Sequence, residues 1–456
     1  MIEYEVQQRY PVSEETYDVI VVGGGTAGAT AAIAAAMIGA NTLVVERNGF
    51  LGGSSSGGQV TPMMHAGLVG NADSSSINAD LKRRLCKVGY GAADPYENDG
   101  WFNPEMLKFI VEDMYLEKGG HVLYDTEFIE AVCEDGGITG IIVHNKGGMQ
   151  VIQGRVVVDC TGDADVAFSA GAPCLTGYEA NHQNQAPSLR FMVGNIDTRK
   201  LQDYLRSISQ PIILEDPFLE LASAWETESP LRDVFQKAVS DGVLDYEDGR
   251  YFQAFSVPGM AGVLSFNCPE IQQIHDCLNP YAITEIMITG RKMIQRLHRF
   301  LKLYLPGFTD SYILSAATMP GIRESRRIKG HYVLSEIDYN NRAKFEDAIA
   351  RTAYPVDIHG VCDEKKLAVE PMKRGEYFEI PYRSLVPLAI NNLLVAGRCI
   401  STTFIAQSAI RIQAVCRATG EAAGIAAAYC ARSQINCNEF DGRIVRRIMI
   451  QNGACL

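Results

Sequence analysis

The segment between residues 17 and 46 constrains the fold of this chain more than any other part of the sequence. The run Tyr17–Val22 is rich in β-branched residues, suits a buried parallel strand, and is followed directly by Gly23-x-Gly25-x-x-Gly28. Residues 29–38 are alanine-rich and predict a helix, and Thr42–Val45 predicts a second buried strand. This strand–turn–helix–strand order is the context in which such a glycine pattern forms a dinucleotide-binding unit.

Each glycine of the motif has its own physical task. Gly23 permits the tight turn, Gly25 lets a pyrophosphate approach the backbone, and Gly28 lets the helix pack closely on the strand. The N-terminus of the helix offers unpaired N–H groups to phosphate oxygens. Glu46, eighteen residues after Gly28, is placed to accept hydrogen bonds from ribose hydroxyls and disfavours a 2′-phosphate. The motif alone does not distinguish FAD from NAD, and a glycine-rich turn that binds nothing is the alternative.

Composition restricts the partners that this chain can have. Its 456 residues, 47% of them hydrophobic, are enough for a large core and two or three domains. The formal net charge of −13 disfavours nucleic acids and anionic membranes. The uncharged run Val19–Val45 is not predicted to span a membrane, because three consecutive glycines interrupt it.

The N-terminus and the cysteines predict the compartment. Residues 1–17 lack the basic and apolar regions of a signal peptide. The twelve cysteines are scattered, and no two have C-x-x-C spacing. We therefore expect a cytoplasmic protein with reduced thiols and no metal site.

Three further segments resemble parts of a known cofactor-binding fold. Residues 51–58 form a loop of small residues soon after the second strand, for which a flexible linker is the alternative. Residues 156–163 and 392–398 each predict a buried strand that ends in a small-residue turn. Together with the glycine motif, these segments resemble the glutathione-reductase-like FAD-binding fold. The chain is similar to bacterial FAD-dependent oxidoreductases over nearly its whole length, including Gly321–Gly330, Tyr354–His359 and Ile380–Pro387, and least so over Leu201–Asp248.

The resemblance implies an α/β fold, with a Rossmann-like FAD-binding domain and an inserted α+β substrate domain. The FAD-binding domain would comprise residues 1–170 and 383–456, and the substrate domain residues 171–382. Within these domains, the hydrophobic patterns predict amphipathic helices over Phe102–Lys118 and Tyr281–Tyr304, helical segments over Leu201–Ser207 and Pro217–Ser240, and an antiparallel meander over Glu127–Gln153.

The resemblance also implies which residues contact FAD. The pyrophosphate would lie at the glycine motif, and the adenosine ribose at Glu46. A long helix starting near Ala406 would direct its N-terminus at the flavin pyrimidine, where reduction places negative charge. The residues expected along the cofactor are Gly23, Gly25, Thr26, Ala27, Gly28, Glu46, Arg47, Gly52, Gly53, Ser54, Phe128, Gly162, Asp163, Gly397, Arg398, Ala406, Gln407 and Ser408.

Other residues are candidates for positioning the substrate and moving protons, because the flavin itself supplies the hydride chemistry. For each of them the alternative is a surface, capping or salt-bridged side chain. His65 follows the flavin-side loop, whereas the basic cluster ending at His331 could bind a substrate carboxylate. The candidates are His65, Arg326, His331, Tyr382 and Arg383, with His359 of the segment Asp357-Ile358-His359 as a further one.

These features predict an FAD-dependent dehydrogenase or reductase that transfers a hydride between flavin and a small organic substrate. One alternative is a flavin oxidase or monooxygenase that passes electrons to dioxygen, and another is a protein that keeps FAD in a non-redox structural role. A disulfide reductase and a flavin halogenase are disfavoured, because neither C-x₄-C beside the first motif nor W-x-W-x-I-P occurs. The expected partner is a small molecule, and the sequence is compatible with an oligomer.

Overall fold

The fold is built around two large β-sheets. The computed structural model describes residues 10–70, 73–94, 98–210, 212–215, 218–224, 229–361 and 367–456. The first part of the chain contains β1 Val12–Val22, α1 Thr26–Met37, β2 Thr42–Val45, α2 Ser76–Lys87, β3 Gly91–Ala92, β4 Trp101–Phe102, α3 Pro104–Leu116, β5 His121–Leu123, β6 Glu127–Glu134, β7 Gly137–Asn145, β8 Gly148–Asp159 and α4 Asp165–Ser169.

The remaining elements form the second sheet and then return to the first. The middle of the chain contains β9 Cys174–Thr176, β10 Phe191–Gly194, α5 Thr198–Ser207, β11 Ile212–Glu215, β12 Phe218–Ala224, α6 Leu231–Ser240, β13 Tyr251–Ser256, β14 Leu264–Phe266, α7 Pro280–Tyr304, β15 Tyr312–Ala316, β16 Arg326–Ile328, α8 Glu336–Asn340, β17 Ala348–Thr352 and β18 Phe378–Pro381. The last part contains β19 Leu393–Val395, α9 Phe404–Ile410, α10 Gln413–Ser433 and α11 Gly442–Gln451.

The first sheet has seven strands in the order β5-β2-β1-β8-β7-β6, with β19 also paired to β8. β2 and β8 flank β1 in parallel, and β5 and β19 extend the parallel part on either side. The inner residues of β1 are fully buried on both faces, as expected for a parallel strand covered by helices. The predicted α/β class with a Rossmann-like parallel sheet is confirmed.

One strand of this sheet combines two predicted features. The antiparallel meander of β6, β7 and β8 runs without a break into the predicted strand of residues 156–159, because β8 spans Gly148–Asp159. Its first half pairs antiparallel with β7, and its second half pairs parallel with β1 and β19. β8 therefore connects the hairpin to the dinucleotide-binding part of the sheet.

Helices α1 and α10 lie in direct backbone contact. A Cβ atom built on Gly420 would lie 2.2 Å from the carbonyl oxygen of Ala27, and one on Gly424 only 2.0 Å from that of Ala31. The spacing Gly420-x-x-x-Gly424 thus places two glycines on the face of α10 that meets α1. The two glycines therefore permit the close packing of α10 on α1.

The second sheet is antiparallel, with six strands in the order β11-β12-β13-β14-β10-β15. Its core contains Phe191, Phe252 and Phe266, together with Phe300 from α7. The prediction of helix over Pro217–Ser240 is wrong for Phe218–Ala224, because β12 pairs with β13 in the sheet, while α6 forms as expected. Residues 216–217 and 225–228 lie outside the described residues.

The segment after the second sheet packs back onto the first. Ile349, Phe378 and Ile380 of β17 and β18 belong to the same buried cluster as α1 and α10. The division into domains at residues 170 and 383 stays a prediction.

Candidate functional site

The turn between β1 and α1 leaves room for an anionic group. Gly25 is the N-cap of α1, and no side chain caps the helix there. A Cβ atom on Gly25 would meet no atom closer than 3.9 Å, whereas one on Gly28 would lie 1.7 Å from the carbonyl oxygen of Gly23. Gly28 is therefore needed for helix–strand packing, and the space beside Gly25 is open to a phosphate at the helix N-terminus.

The loop of small residues after β2 lies against this turn. A Cβ atom on Gly53, which has φ +52°, would come within 2.8 Å of Gly25 Cα. The Thr26 hydroxyl lies 3.3 Å from the Gly52 carbonyl oxygen and 3.1 Å from Ser54 Oγ. The loop is thus part of the dinucleotide-binding turn, not a linker that leaves it.

Glu46, at the end of β2, shapes the turn through its carboxylate. One carboxylate oxygen accepts a 2.7 Å hydrogen bond from the Gly24 amide, and the other accepts a 2.8 Å bond from the Asn48 amide. The side chain is buried, whereas the neighbouring Arg47 is exposed. Phe128 lies half-buried in β6 and packs on the opposite face of the first sheet.

The two small-residue turns predicted within residues 156–163 and 392–398 meet beyond the ends of β8 and β19. Arg398 donates a 2.7 Å hydrogen bond to Asp163, and its Nε would lie 2.9 Å from a Cβ atom on Gly162. Gly397 precedes Arg398 with φ +92°. The Nη1 atom of Arg398 is buried and has no hydrogen-bond partner among the described residues. This guanidinium therefore keeps a free donor for a bound acceptor.

Asp159, the last residue of β8, organises the turn that carries Gly162. One carboxylate oxygen accepts hydrogen bonds from the Thr161 amide at 3.0 Å and the Thr161 hydroxyl at 2.7 Å. The other accepts a 2.9 Å bond from the Ala167 amide. Burial raises the pKa of Asp159 to about 6, although these hydrogen bonds oppose the shift.

Replacing Asp159 by alanine should destabilise the protein by about 2 to 3 kcal/mol, because it leaves buried donors without an acceptor. Since the folded-state pKa is raised, proton uptake accompanies folding, and the wild-type contribution declines as pH rises from about 4 to 6. Urea unfolding at several pH values measures both effects. Asp165→Ala is the matched control, because its partly exposed ion pair with Arg326 contributes at most about 1 kcal/mol. Equal losses in the two variants would contradict this account of Asp159.

Two buried arginines bind the loop of small residues and the segment directly after it. Arg190 donates to the carbonyl oxygens of Phe266 and Thr61, at 3.3 and 3.0 Å. Arg417 donates to Ser55 Oγ at 2.8 Å. Within the described part of the chain, no carboxylate lies within ion-pair distance of either guanidinium. Burial lowers the pKa of each to about 10, so both stay charged at neutral pH. An anionic cofactor beside this loop would balance the two buried charges.

The C-terminal helix differs from its prediction. Ala406, Gln407 and Ser408 lie inside the short helix α9, whose N-terminal amides are already hydrogen-bonded to Thr403 Oγ1 and to Glu179. The expectation that a long helix starts near Ala406 is wrong, because Ile412 adopts an extended conformation and ends α9.

The long helix α10 instead begins at Gln413. The Gln413 side chain accepts a 2.8 Å bond from Ser55 Oγ and donates a 2.6 Å bond to the Val60 carbonyl. The N-terminus of α10 is therefore the helix end that meets the loop of small residues.

The five candidate catalytic residues are not brought together. Arg326 reaches the Asp163 turn, with a 2.9 Å bond to the Asp163 carbonyl. His65 and His331 are exposed, and the His65 ring accepts a bond from the Gly67 amide. The other two candidates contact different parts of the protein: the buried Tyr382 hydroxyl donates to the Cys437 carbonyl, and Arg383 pairs with Asp347. A role for these residues in chemistry stays a prediction, and Tyr382 has a packing role in the core.

His359 lies in a cluster of charged side chains that the sequence did not reveal. Its Nδ1 is 2.7 Å from Glu270, and its Nε2 is 3.0 Å from Asp357. Arg323 pairs with Glu270 at 2.7 Å, and Arg411 with Asp357 at 2.9 Å. We call these five residues the His359 cluster. They come from four separated segments, so sequence spacing carries no signal for their proximity.

Charge interactions inside the His359 cluster favour the ionised forms. Burial is the largest single influence and opposes ionisation of Glu270 and Asp357, but the combined effect of Arg323 and His359 outweighs it at Glu270, and that of Arg411 and His359 outweighs it at Asp357. The pKa of Glu270 falls to about 2, and that of Asp357 is also lowered. Burial and Arg323 would lower the pKa of His359, but the two carboxylates outweigh them and raise it. The two carboxylates therefore favour the imidazolium form of His359.

The parallel sheet, the glycine turn and the unpaired helix N-terminus define a dinucleotide-binding α/β protein. The profile of the FAD dependent oxidoreductase family matches residues 18–449, so the chain belongs to that family, and FAD is its cofactor. The residues present fit FAD: an open space at the end of α1, two uncompensated buried arginines and a free Arg398 donor suit a long anionic cofactor.

Two relatives found by sequence comparison match about a third of the chain each. Digeranylgeranylglycerophospholipid reductase 2 of Methanothermobacter thermautotrophicus is 30% identical over 176 residues, which are 34% of this chain and 42% of the reductase. Thiamine thiazole synthase of Methanococcus aeolicus is 28% identical over 162 residues, which are 33% of this chain and 57% of the synthase. The chain thus spans less than half the length of the reductase it matches.

A solved structure is similar over most of the chain. The geranylgeranyl bacteriochlorophyll reductase-like protein of Thermoplasma acidophilum aligns over 96% of this chain and 83% of its own, with 15% identity and a TM-score of 0.45.

In the described residues, none of the helices combines the length and apolar character needed to cross a bilayer.

Proposed function

We propose that this protein is a dehydrogenase or reductase that uses FAD to transfer a hydride between the flavin and a small organic substrate. The observation that carries the proposal is the open space beside Gly25 at the uncapped N-terminus of α1. Family membership supports redox chemistry over a purely structural use of FAD. The reductase name of one relative favours the reducing direction, but its match covers only 34% of this chain and supports the cofactor side alone.

Particular residues of the chain would bind and orient the cofactor. The first-turn amides of α1 would bind the pyrophosphate, with the loop from Gly52 to Ser54 alongside. Glu46 would meet the adenosine ribose, and Arg398 would direct its free Nη1 at the cofactor. A glutathione-reductase-like placement would then bring the flavin toward the N-terminus of α10. The bound flavin would supply the hydride acceptor or donor.

The residues at the N-terminus of α10 would stabilise negative charge near the flavin. The buried Arg417 guanidinium and the Gln413 side chain at the helix N-terminus both contact Ser55 of the loop of small residues. A positive charge and a helix N-terminus favour the anionic form of a group beside them. This arrangement would lower the cost of reducing the flavin.

A visible absorption spectrum tests the cofactor assignment directly. Purified protein should show bands near ~375 and ~450 nm, properties of the flavin, and denaturation should release them. Anaerobic incubation with candidate substrates should then bleach the longer-wavelength band. Colourless protein that takes up no added FAD would contradict the proposal, and rapid reoxidation in air would favour an oxidase or monooxygenase.

A further inference from the structure

A small recess lies beside the N-terminus of α10. Its volume is about 20 Å³, and its walls are formed by residues 63–66, by Asn78 and Lys82 of α2, and by Ala414 in the first turn of α10. About 10 to 15 Å³ is enough for one water molecule, so the recess holds a single group of that size.

A larger groove adjoins the recess. It has a volume of about 390 Å³, and its lining includes the exposed residues Ala79, Cys86 and Cys455. Asp73, Lys82 and Asp99 line both spaces, so these three side chains stand between them. The groove has the volume of a site for a small organic molecule, whereas the recess admits only one group of such a molecule.

Lys82 keeps one hydrogen-bond donor for a ligand. Its ammonium nitrogen lies 2.6 Å from Asp73 Oδ2 and 2.7 Å from Asp99 Oδ1, and its side chain is only 10% exposed. An ammonium group has three N–H donors. The described part of the chain supplies acceptors for two of them, and the third is left for a group in the recess.

Asn78 contributes an unused acceptor to the same recess. The residue is 2% exposed, and its Nδ2 donates a 2.8 Å hydrogen bond to Asp73 Oδ1. Its Oδ1 is buried and has no hydrogen-bond partner among the residues that the structure describes. Because a buried carbonyl oxygen without a donor is costly, a bound group that donates to Asn78 would be stabilised.

One chemical group satisfies both side chains at once. A carboxylate or a carbonyl group cannot donate to Asn78 Oδ1, and a protonated amine cannot accept from Lys82. The carboxylates of Asp73 and Asp99 would also repel an anion. A hydroxyl group donates and accepts through a single oxygen atom, and it has the size of a water molecule.

We propose that the recess binds a hydroxyl group of the substrate and that the groove holds the rest of the molecule, so that the substrate is a small alcohol. This inference rests on the redox function proposed above, which brings the flavin toward the N-terminus of α10. Arg417 donates a 3.1 Å bond to Met63 Sδ, so the wall of the recess contacts the guanidinium assigned to the flavin end. Asn78 and Lys82 bind and orient the hydroxyl group, and the flavin supplies the redox chemistry.

Three alcohols with different carbon skeletons test the binding site. The probes are n-propanol, cyclohexanol and benzyl alcohol, each compared with its methyl ether, which accepts a hydrogen bond but cannot donate one. Ligand-observed NMR with FAD-loaded protein gives the dissociation constants. The wild type should bind at least one alcohol tenfold or more tightly than its ether, because the ether leaves Asn78 Oδ1 without a donor.

A variant of Asn78 tests the assignment of the acceptor. Asn78→Leu has a side chain of similar size without the carbonyl oxygen, and it should bind the preferred alcohol at least tenfold more weakly and lose the preference over the ether. Asn438→Leu changes an exposed asparagine outside both spaces and should behave as the wild type. With a hydroxylated substrate from the bleaching screen, N78L should raise KM at least tenfold, with a smaller change in kcat.

The outcomes separate this inference from the proposed function. Protein that binds no FAD contradicts the proposed function. FAD-loaded wild type that prefers none of the three alcohols to its ether contradicts only the inference, and the recess then holds a water molecule only. FAD-loaded N78L with the wild-type preference overturns the inference as well. If N78L does not fold, the comparison of alcohols with ethers in the wild type decides.

Discussion

Replacing Gly25 by leucine is expected to give a folded protein that cannot retain FAD. Gly25 has φ −69° and ψ −161°, a conformation open to L-residues, and a Cβ atom there meets no protein atom within 3.9 Å. The backbone therefore accepts a Cβ atom, and the rest of the leucine side chain would occupy the space in which the pyrophosphate is proposed to approach α1. We expect the flavin content to fall at least tenfold, which corresponds to about 1.4 kcal/mol or more of binding free energy.

The measurement is the ratio of flavin to protein absorbance, with circular dichroism and thermal unfolding of the FAD-free forms to establish folding. Gly49→Ala is the matched control, because Gly49 is exposed and a Cβ atom there has nothing within 4 Å. The control should keep its full flavin content. Folded G25L with the flavin content of the wild type would remove the glycine motif from the cofactor site.

Replacing Gly424 by alanine should destabilise the protein by about 3 kcal/mol or more, despite the higher helix propensity of alanine. The added methyl group would lie 2.0 Å from the Ala31 carbonyl oxygen, a backbone atom that cannot rotate away. Helix α1 is fully packed between α10 and the first sheet, so the clash can be relieved only by separating the two helices.

Urea unfolding and the yield of soluble protein measure this effect, and FAD content should fall as α1 shifts. Gly49→Ala again serves as the control, since the same change there meets no neighbour. If G424A unfolded at the same urea concentration as the wild type, the close contact between α1 and α10 would be wrong.

Local sequence was sufficient to predict the elements near the cofactor turn. The run of β1, the glycine motif and the alanines of α1 occur within about thirty residues, so their contacts are local. Helix α3 was predicted over Phe102–Lys118 from its hydrophobic pattern, and Asn103 caps it by accepting a 2.9 Å bond from the Glu105 amide. The strand β12 was not predicted, because pairing with β13 decided the conformation of that segment.

The sequence by itself determined the parallel-sheet core and the turn that suits a dinucleotide, because both depend on side chains a few residues apart. Only the tertiary structure decided that α10 begins at Gln413, that Arg190 and Arg417 bear buried uncompensated charges, and that His359 lies between two carboxylates. Glu270 is 89 residues from His359 in the chain, yet the side chains are 2.7 Å apart. Such contacts arise where separate elements pack, and that packing leaves no periodic signal in the sequence.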